Sequence, residues 1–99
     1  MAQNTREDII IKLKKIKPEL QKQYGVKRIG IFGSIARNEA NDSSDIDIVY
    51  EVENINGFSI VHIKEDLEHY FNKTVDIVRY RQNMNPYLKD RINSEGIYV

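Results

Sequence analysis

The 99-residue chain contains no cysteine, only two prolines and no excess of either charge. The first absence excludes disulfides and thiolate metal sites, and it fits a reducing cytoplasm. No apolar run is long enough to span a membrane. The N-terminal MAQNTREDIIIKLKKIK does not read as a signal peptide: lysines interrupt its apolar residues and no small-residue cleavage site follows. A cytoplasmic protein is the expectation. Fifteen basic and fifteen acidic side chains cancel, which argues against binding nucleic acid through bulk charge. The length sets one domain, residues 1–99. A chain this short buries a smaller share of its surface than a large one. A partner, or a homo- or hetero-oligomer, would help to hold it.

What is present is unevenly placed. Residues 1–37 hold nine Lys/Arg and three Asp/Glu; residues 38–99 hold six and twelve. The basic third reads either as a solvated helix face or as a surface facing an anion or partner near Ser34. Thr5 can cap a first helix, with Asp8 at its third position. Ile9, Leu13, Ile16 and Leu20 then follow at helical spacing. Pro18 should interrupt or restart this helix, since it lacks an N–H and restricts Lys17. Gly25 ends it. Val26–Phe32 reads as a first strand, Asp45–Val52 as a second and Thr74–Tyr80 as a third. Between the first two, Ser34–Asn38 could form one helical turn and Asn38–Ser44 a polar loop. Asn54–Gly57 reads as a turn. Phe58–Phe71 reads as a helix with Ile60, Ile63, Leu67, Tyr70 and Phe71 toward the core. Asn85-Pro86 caps a last helix, closed by Gly96, and IYV ends the chain.

The chemistry-bearing residues cluster around Gly30–Tyr50. Strand alternation points Asp45 and Asp47 the same way, with Cα atoms about 7 Å apart. Ile46, Ile48 and Tyr50 would face the opposite side. Asp76 has the same setting, flanked by Val75 and Ile77, and joins the pair if the strands are neighbours in register. A D-x-D pair alone is compatible with plain solvated surface. Three carboxylates on one face repel one another unless a cation compensates, and such hard oxygen donors suit Mg²⁺ or Mn²⁺ rather than zinc. Gly33-Ser34 alone is compatible with an ordinary turn. Glycine also permits close backbone approach, and N–H groups starting a helix at Ser34 would face a phosphate. Together, a Gly-Ser at a strand end, ten residues, Asp-x-Asp and a later third acid describe a nucleoside-triphosphate site.

The spacing Gly33-Ser34 to Asp45-Ile46-Asp47 resembles the signature of the DNA polymerase β-like nucleotidyltransferases. The fuller string FGSIARNEANDSSDIDIVY, with VDIVRY and NPYLKDRINSEGIYV, resembles the minimal nucleotidyltransferase (MNT) subgroup. The resemblance implies an α/β (α+β) fold: a small mixed sheet of three to four strands flanked by about four helices. It implies nucleotide binding at Gly33, Ser34, Arg37 and Ser44. Asp45, Asp47 and Asp76 would be the catalytic and metal-binding acids, holding two Mg²⁺ ions, with Mn²⁺ an alternative. ATP would be the substrate. Arg37 could contact phosphate or pair with Asp42 or Glu39. Asn38 stands where the subgroup usually has glycine, and asparagine tolerates left-handed backbone better than most residues.

Many MNT proteins resemble antitoxins paired with a helical HEPN-domain ribonuclease toxin. The implied reaction is AMP transfer from ATP to a tyrosine of that toxin. The short chain has no second domain for a large acceptor, so another protein is expected to supply it. Two other functions stand beside this one: a module that neutralises its partner by contact alone, and a small-molecule (antibiotic) nucleotidyltransferase. The latter usually carries an additional helical domain. His62 and His69 share a helix face and read as surface or packing residues rather than metal ligands. Tyr50, Tyr70, Tyr80, Tyr87 and Tyr98 read as core or interface.

Overall fold

The computed structural model describes residues 5–39, 45–52 and 57–99. The expected contacts of Asp42 and Ser44, most of the polar loop 38–44, most of the turn 54–57 and the side chain of Ile60 lie outside the described residues.

Helix α1 (Arg6–Tyr24) starts where Thr5 Oγ1 accepts from the Asp8 N–H at 3.2 Å, so one of the otherwise unsatisfied first-turn donors is met. It ends at Gly25, whose φ of 69° lets its N–H return to the Gln21 carbonyl. Pro18 does not interrupt the helix, contrary to the sequence expectation. The reason is the buried stripe of Ile9, Leu13, Ile16 and Leu20, which continues on both sides of it. A helical proline costs about 3 kcal/mol. Burying each of those side chains contributes about 1.5–3 kcal/mol, and together they win. Pro18 itself is exposed.

Strand β1 (Val26–Phe32), the single-turn α2 (Gly33–Ala36) and β2 (Ile46–Val52) follow. Helix α3 (Gly57–Phe71) then crosses to β3 (Val75–Arg79), and α4 (Pro86–Glu95) leads to the short β4 (Ile97–Tyr98). The four strands form one mixed sheet in the order β3-β2-β1-β4. β1 runs antiparallel to β2 and β4; β2 and β3 are parallel, as the crossover through α3 requires. The terminal IYV thus supplies the sheet's fourth strand. Gly30 makes this possible, because a Cβ there would overlap the Ile97 carbonyl.

Alternation along the strands sorts side chains onto two faces. Ile29, Ile31, Ile46, Ile48, Tyr50 and Val75 pack with Ile9, Leu13, Ile63, Leu67 and Phe71 of α1 and α3. Val26 joins them because the register shifts between Val26 and Arg28, a bulge that re-aims the side chain. The opposite face carries Phe32 and Val49, covered by Met84 and by Ile92 of α4. Asp47 and Asp76 belong to this second face by parity. On α4, Asn85 Oδ1 accepts from the Tyr87 and Leu88 N–H groups, as the Asn-Pro pair predicts.

Candidate active site

Sheet register assembles the site. Asp47 lies opposite Phe32 across β1–β2 and opposite Asp76 across β2–β3. Residues paired in this way present side chains to the same face. Asp76 therefore stands beside Asp47, as the conditional reading from sequence required. Asp45 is exposed and sits one residue ahead of β2 rather than within it.

Gly33 follows directly on Phe32 and turns at a φ of 74°. A Cβ at this position would overlap Asp47 Oδ2 and lie 3.0 Å from Asp47 Cγ. Only glycine lets the backbone pass so close to that carboxylate. Ser34 is half-buried in the same turn, and its carbonyl accepts from the Glu39 N–H at 2.8 Å. Asn38 adopts a φ of 62°, the left-handed conformation for which asparagine suits the position.

Burial pushes the Asp47 carboxyl above the usual carboxylate range, and the negative charge of Asp76 pushes it further. Arg91 opposes this; Asp45 and Glu95 add to it. A neighbouring cation would favour the ionised form of Asp47. The donors are all carboxylates, with neither thiolate nor imidazole among them, which is the chemistry that hard divalent cations prefer. Among the described residues no group of three or more His, Cys, Asp or Glu gathers closely enough to hold a metal ion. Like charges in mutual contact are costly on their own. By donor type and by the Asp47–Asp76 register the acids suit a divalent cation, but the described side chains do not close around one.

Two residues that sequence reasoning did not single out complete the surroundings. Glu95, at the end of α4, accepts from the Gly33 N–H at 3.1 Å. Its other oxygen accepts from Arg37 Nη1 at 2.9 Å, and Arg91 Nη2 donates to the first at 3.2 Å. Burial alone would raise the Glu95 carboxyl, but the Arg37 and Gly33 hydrogen bonds and the two arginine charges hold it below its ordinary value. Arg37 also pairs with Glu39 at 2.9 Å, the ion pair that the sequence allowed. The available signal for Arg91 and Glu95 was their i,i+4 spacing on a short helix. Nothing in that spacing says that the carboxylate reaches across to Gly33. His62 and His69 are exposed on α3. Tyr50 is buried, and Tyr87 is exposed.

The mixed four-stranded sheet thus carries its paired strand carboxylates beside a glycine turn. Residues 14–99 match the family model described as "Polymerase beta, Nucleotidyltransferase". The chain is 46% identical over 87 residues to a Methanocaldococcus jannaschii protein provisionally named a protein adenylyltransferase, covering 87% of this chain and 91% of that one. It is 34% identical over 100 residues to the protein adenylyltransferase MntA of Thermococcus cleftensis, covering 100% of both. In fold it is similar to the structure of a provisionally assigned minimal nucleotidyltransferase, with a TM-score of 0.79, 24% identity and 98% of each chain covered. It is also similar in fold to a chain of a toxin–antitoxin crystal structure with AMP-PNP, with a TM-score of 0.67 and 20% identity over 94% of this chain and 70% of that one. A third fold neighbour comes from the complex of a tri-AMPylated Shewanella oneidensis HEPN toxin with its MNT antitoxin: TM-score 0.60, 20% identity, 99% of this chain and 71% of that one. The chain belongs to the polymerase beta nucleotidyltransferase family and is a nucleotidyltransferase.

Proposed function

We propose that the chain transfers AMP from ATP to a hydroxyl of a partner protein, a tyrosine of a HEPN ribonuclease toxin, and so acts as its antitoxin. The observation that carries the chemistry is the Asp47–Asp76 register pair beside Gly33. The partner class is supported by relatives named protein adenylyltransferases and by the fold neighbour complexed with an AMPylated HEPN toxin. The cytoplasm is the proposed compartment, and no helix among the described residues is long and apolar enough to cross a membrane.

In this reading the Gly33-Ser34 turn receives the triphosphate, with Arg37 and Ser44 contributing. Asp45 and Asp47, with Asp76, would hold Mg²⁺, and two such ions would supply charge neutralisation and activation of the attacking oxygen. The acceptor oxygen attacks the α-phosphorus of ATP. The bond from that phosphorus to the bridging oxygen breaks, and pyrophosphate leaves. Asp76 takes the proton from the acceptor hydroxyl. The overall balance is one AMP transferred, one pyrophosphate released and one proton passed to a carboxylate. Proximity of Asp76 to Asp47 keeps base and nucleotide site on one sheet face.

The test is incubation with labelled ATP, Mg²⁺ and the cognate HEPN protein. Label should pass to that protein, and Asp47→Ala should abolish the transfer. Equal transfer by the variant would sink the assignment. Neutralisation by an Asp45→Ala/Asp47→Ala chain at normal level would instead favour inhibition by contact alone.

A further inference from the structure

The position of Glu95 bears on how the nucleotide enters, an inference that rests on the site being a triphosphate site. Gly33 N–H, Arg37 Nη1 and Arg91 Nη2 converge on one carboxylate, at 3.1, 2.9 and 3.2 Å. Three donors from two stretches of chain, the α2 turn and α4, two of them cationic, form an anion subsite. The anion it holds comes from the protein itself. The Glu95 side chain is 16% exposed, whereas the Arg37 side chain is 38% exposed and that of Arg91 39%. The arginines are therefore open to an incoming ligand from the solvent side. The same subsite abuts Asp47 through Gly33.

We propose that Glu95 is an internal competitor for the triphosphate: its carboxylate occupies the subsite of Gly33, Arg37 and Arg91, and ATP or another polyphosphate must displace it. Glu95 can release the subsite by rotating its own side chain, at the end of α4, without breaking the helix. A polyphosphate offers more negative charge and several acceptor oxygens to the same donors. A carboxylate adds unfavourable charge next to Asp47, whereas a polyphosphate arriving with a divalent cation compensates it. Arg91 thereby becomes a phosphate-contacting residue alongside Arg37. Affinity measured for the intact chain is then lowered by the fraction of molecules in which Glu95 still holds the subsite.

The experiment is titration calorimetry of inorganic tripolyphosphate and of a non-hydrolysable ATP analogue, each with Mg²⁺, against the full chain and Glu95→Gln. Glutamine preserves the size and an acceptor but removes the charge. Both ligands should bind the variant about two- to fivefold more tightly, the range for partly exposed arginine pairs. Arg91→Ala should weaken both. If Glu95→Gln does not fold, Glu95→Asp is used with the same expectation, because its shorter arm retracts from Gly33. Binding by both chains with Glu95→Gln unchanged or weaker overturns competition and leaves the nucleotide site standing. Binding by neither chain overturns both.

Discussion

Gly33→Ala is the substitution whose cost the geometry resolves best. Two separate penalties apply. The φ of 74° is left-handed, which costs a residue with a Cβ about 1–2 kcal/mol. The new methyl group would also overlap Asp47 Oδ2 and lie 3.3 Å from Asp47 Cβ. Relieving such a clash in packed surroundings typically costs about 1–3 kcal/mol. The protein offers its own control at Gly25, where φ is 69° and a Cβ would meet nothing within 4 Å. Gly25→Ala isolates the backbone penalty. Urea denaturation should place Gly33→Ala below Gly25→Ala by about 1–3 kcal/mol. In thermal melts each kcal/mol is about 4–8 °C for a domain of this size. The two variants should differ further in activity. Gly33→Ala moves Asp47 and should lose most AMP transfer, while Gly25→Ala should retain it at temperatures where it is folded. Equal stability of the two variants, with equal transfer, would refute the claim that Gly33 is required by its contact with Asp47.

Leu13 is fully buried under the sheet, so Leu13→Ala should destabilise by about 2–5 kcal/mol in urea melts. Asp76→Asn keeps the shape of the side chain and removes its capacity to accept a proton; single-turnover AMP transfer should fall by about 10²- to 10⁴-fold. The Tyr24 hydroxyl donates to Asp66 Oδ2 at 2.6 Å. That bond, with burial and the charges of Asp66 and Glu65, pushes its pKa up to about 12 from 10.0. A raised pKa means that the contribution to stability is complete below the unfolded value and is lost as pH rises through the folded one. Urea midpoints of the parent should therefore fall between pH 10 and 12 more steeply than those of Tyr24→Phe, and the ultraviolet titration should lose its late-ionising tyrosine in that variant.

Much of the fold was legible because burial follows period. The i, i+3/i+4 stripe Ile9–Leu20 and the alternation Ile46-Asp47-Ile48 each place one face inward, whatever the neighbours are. The capping residues Thr5 and Asn85 act through local hydrogen bonds and could be read the same way. Pro18 misled because its penalty is local, while the burial that overrides it comes from α1 packing on the sheet. The pairing of Asp47 with Asp76 depended on strand order, which parity alone does not fix; β3 could have added to the other edge. The C-terminal IYV gave too short an apolar run to distinguish a strand from a tail. It becomes an edge strand because Gly30 leaves room for its backbone. Arg91 and Glu95 were silent for a related reason. Their sequence neighbours explain an ordinary helix-surface pair, and only the tertiary fold carries that pair to Gly33.

The central claim is that the face holding Asp47 and Asp76 moves AMP onto a protein tyrosine. Intact-mass and peptide mass spectrometry of the cognate HEPN protein, after incubation with ATP, Mg²⁺ and this chain, tests it most directly. Whole AMP additions on tyrosine are expected with the parent chain and none with folded Asp47→Asn or Asp76→Asn. AMP additions of the same extent with either variant, or no addition by the parent chain while the toxin is still neutralised, would contradict it.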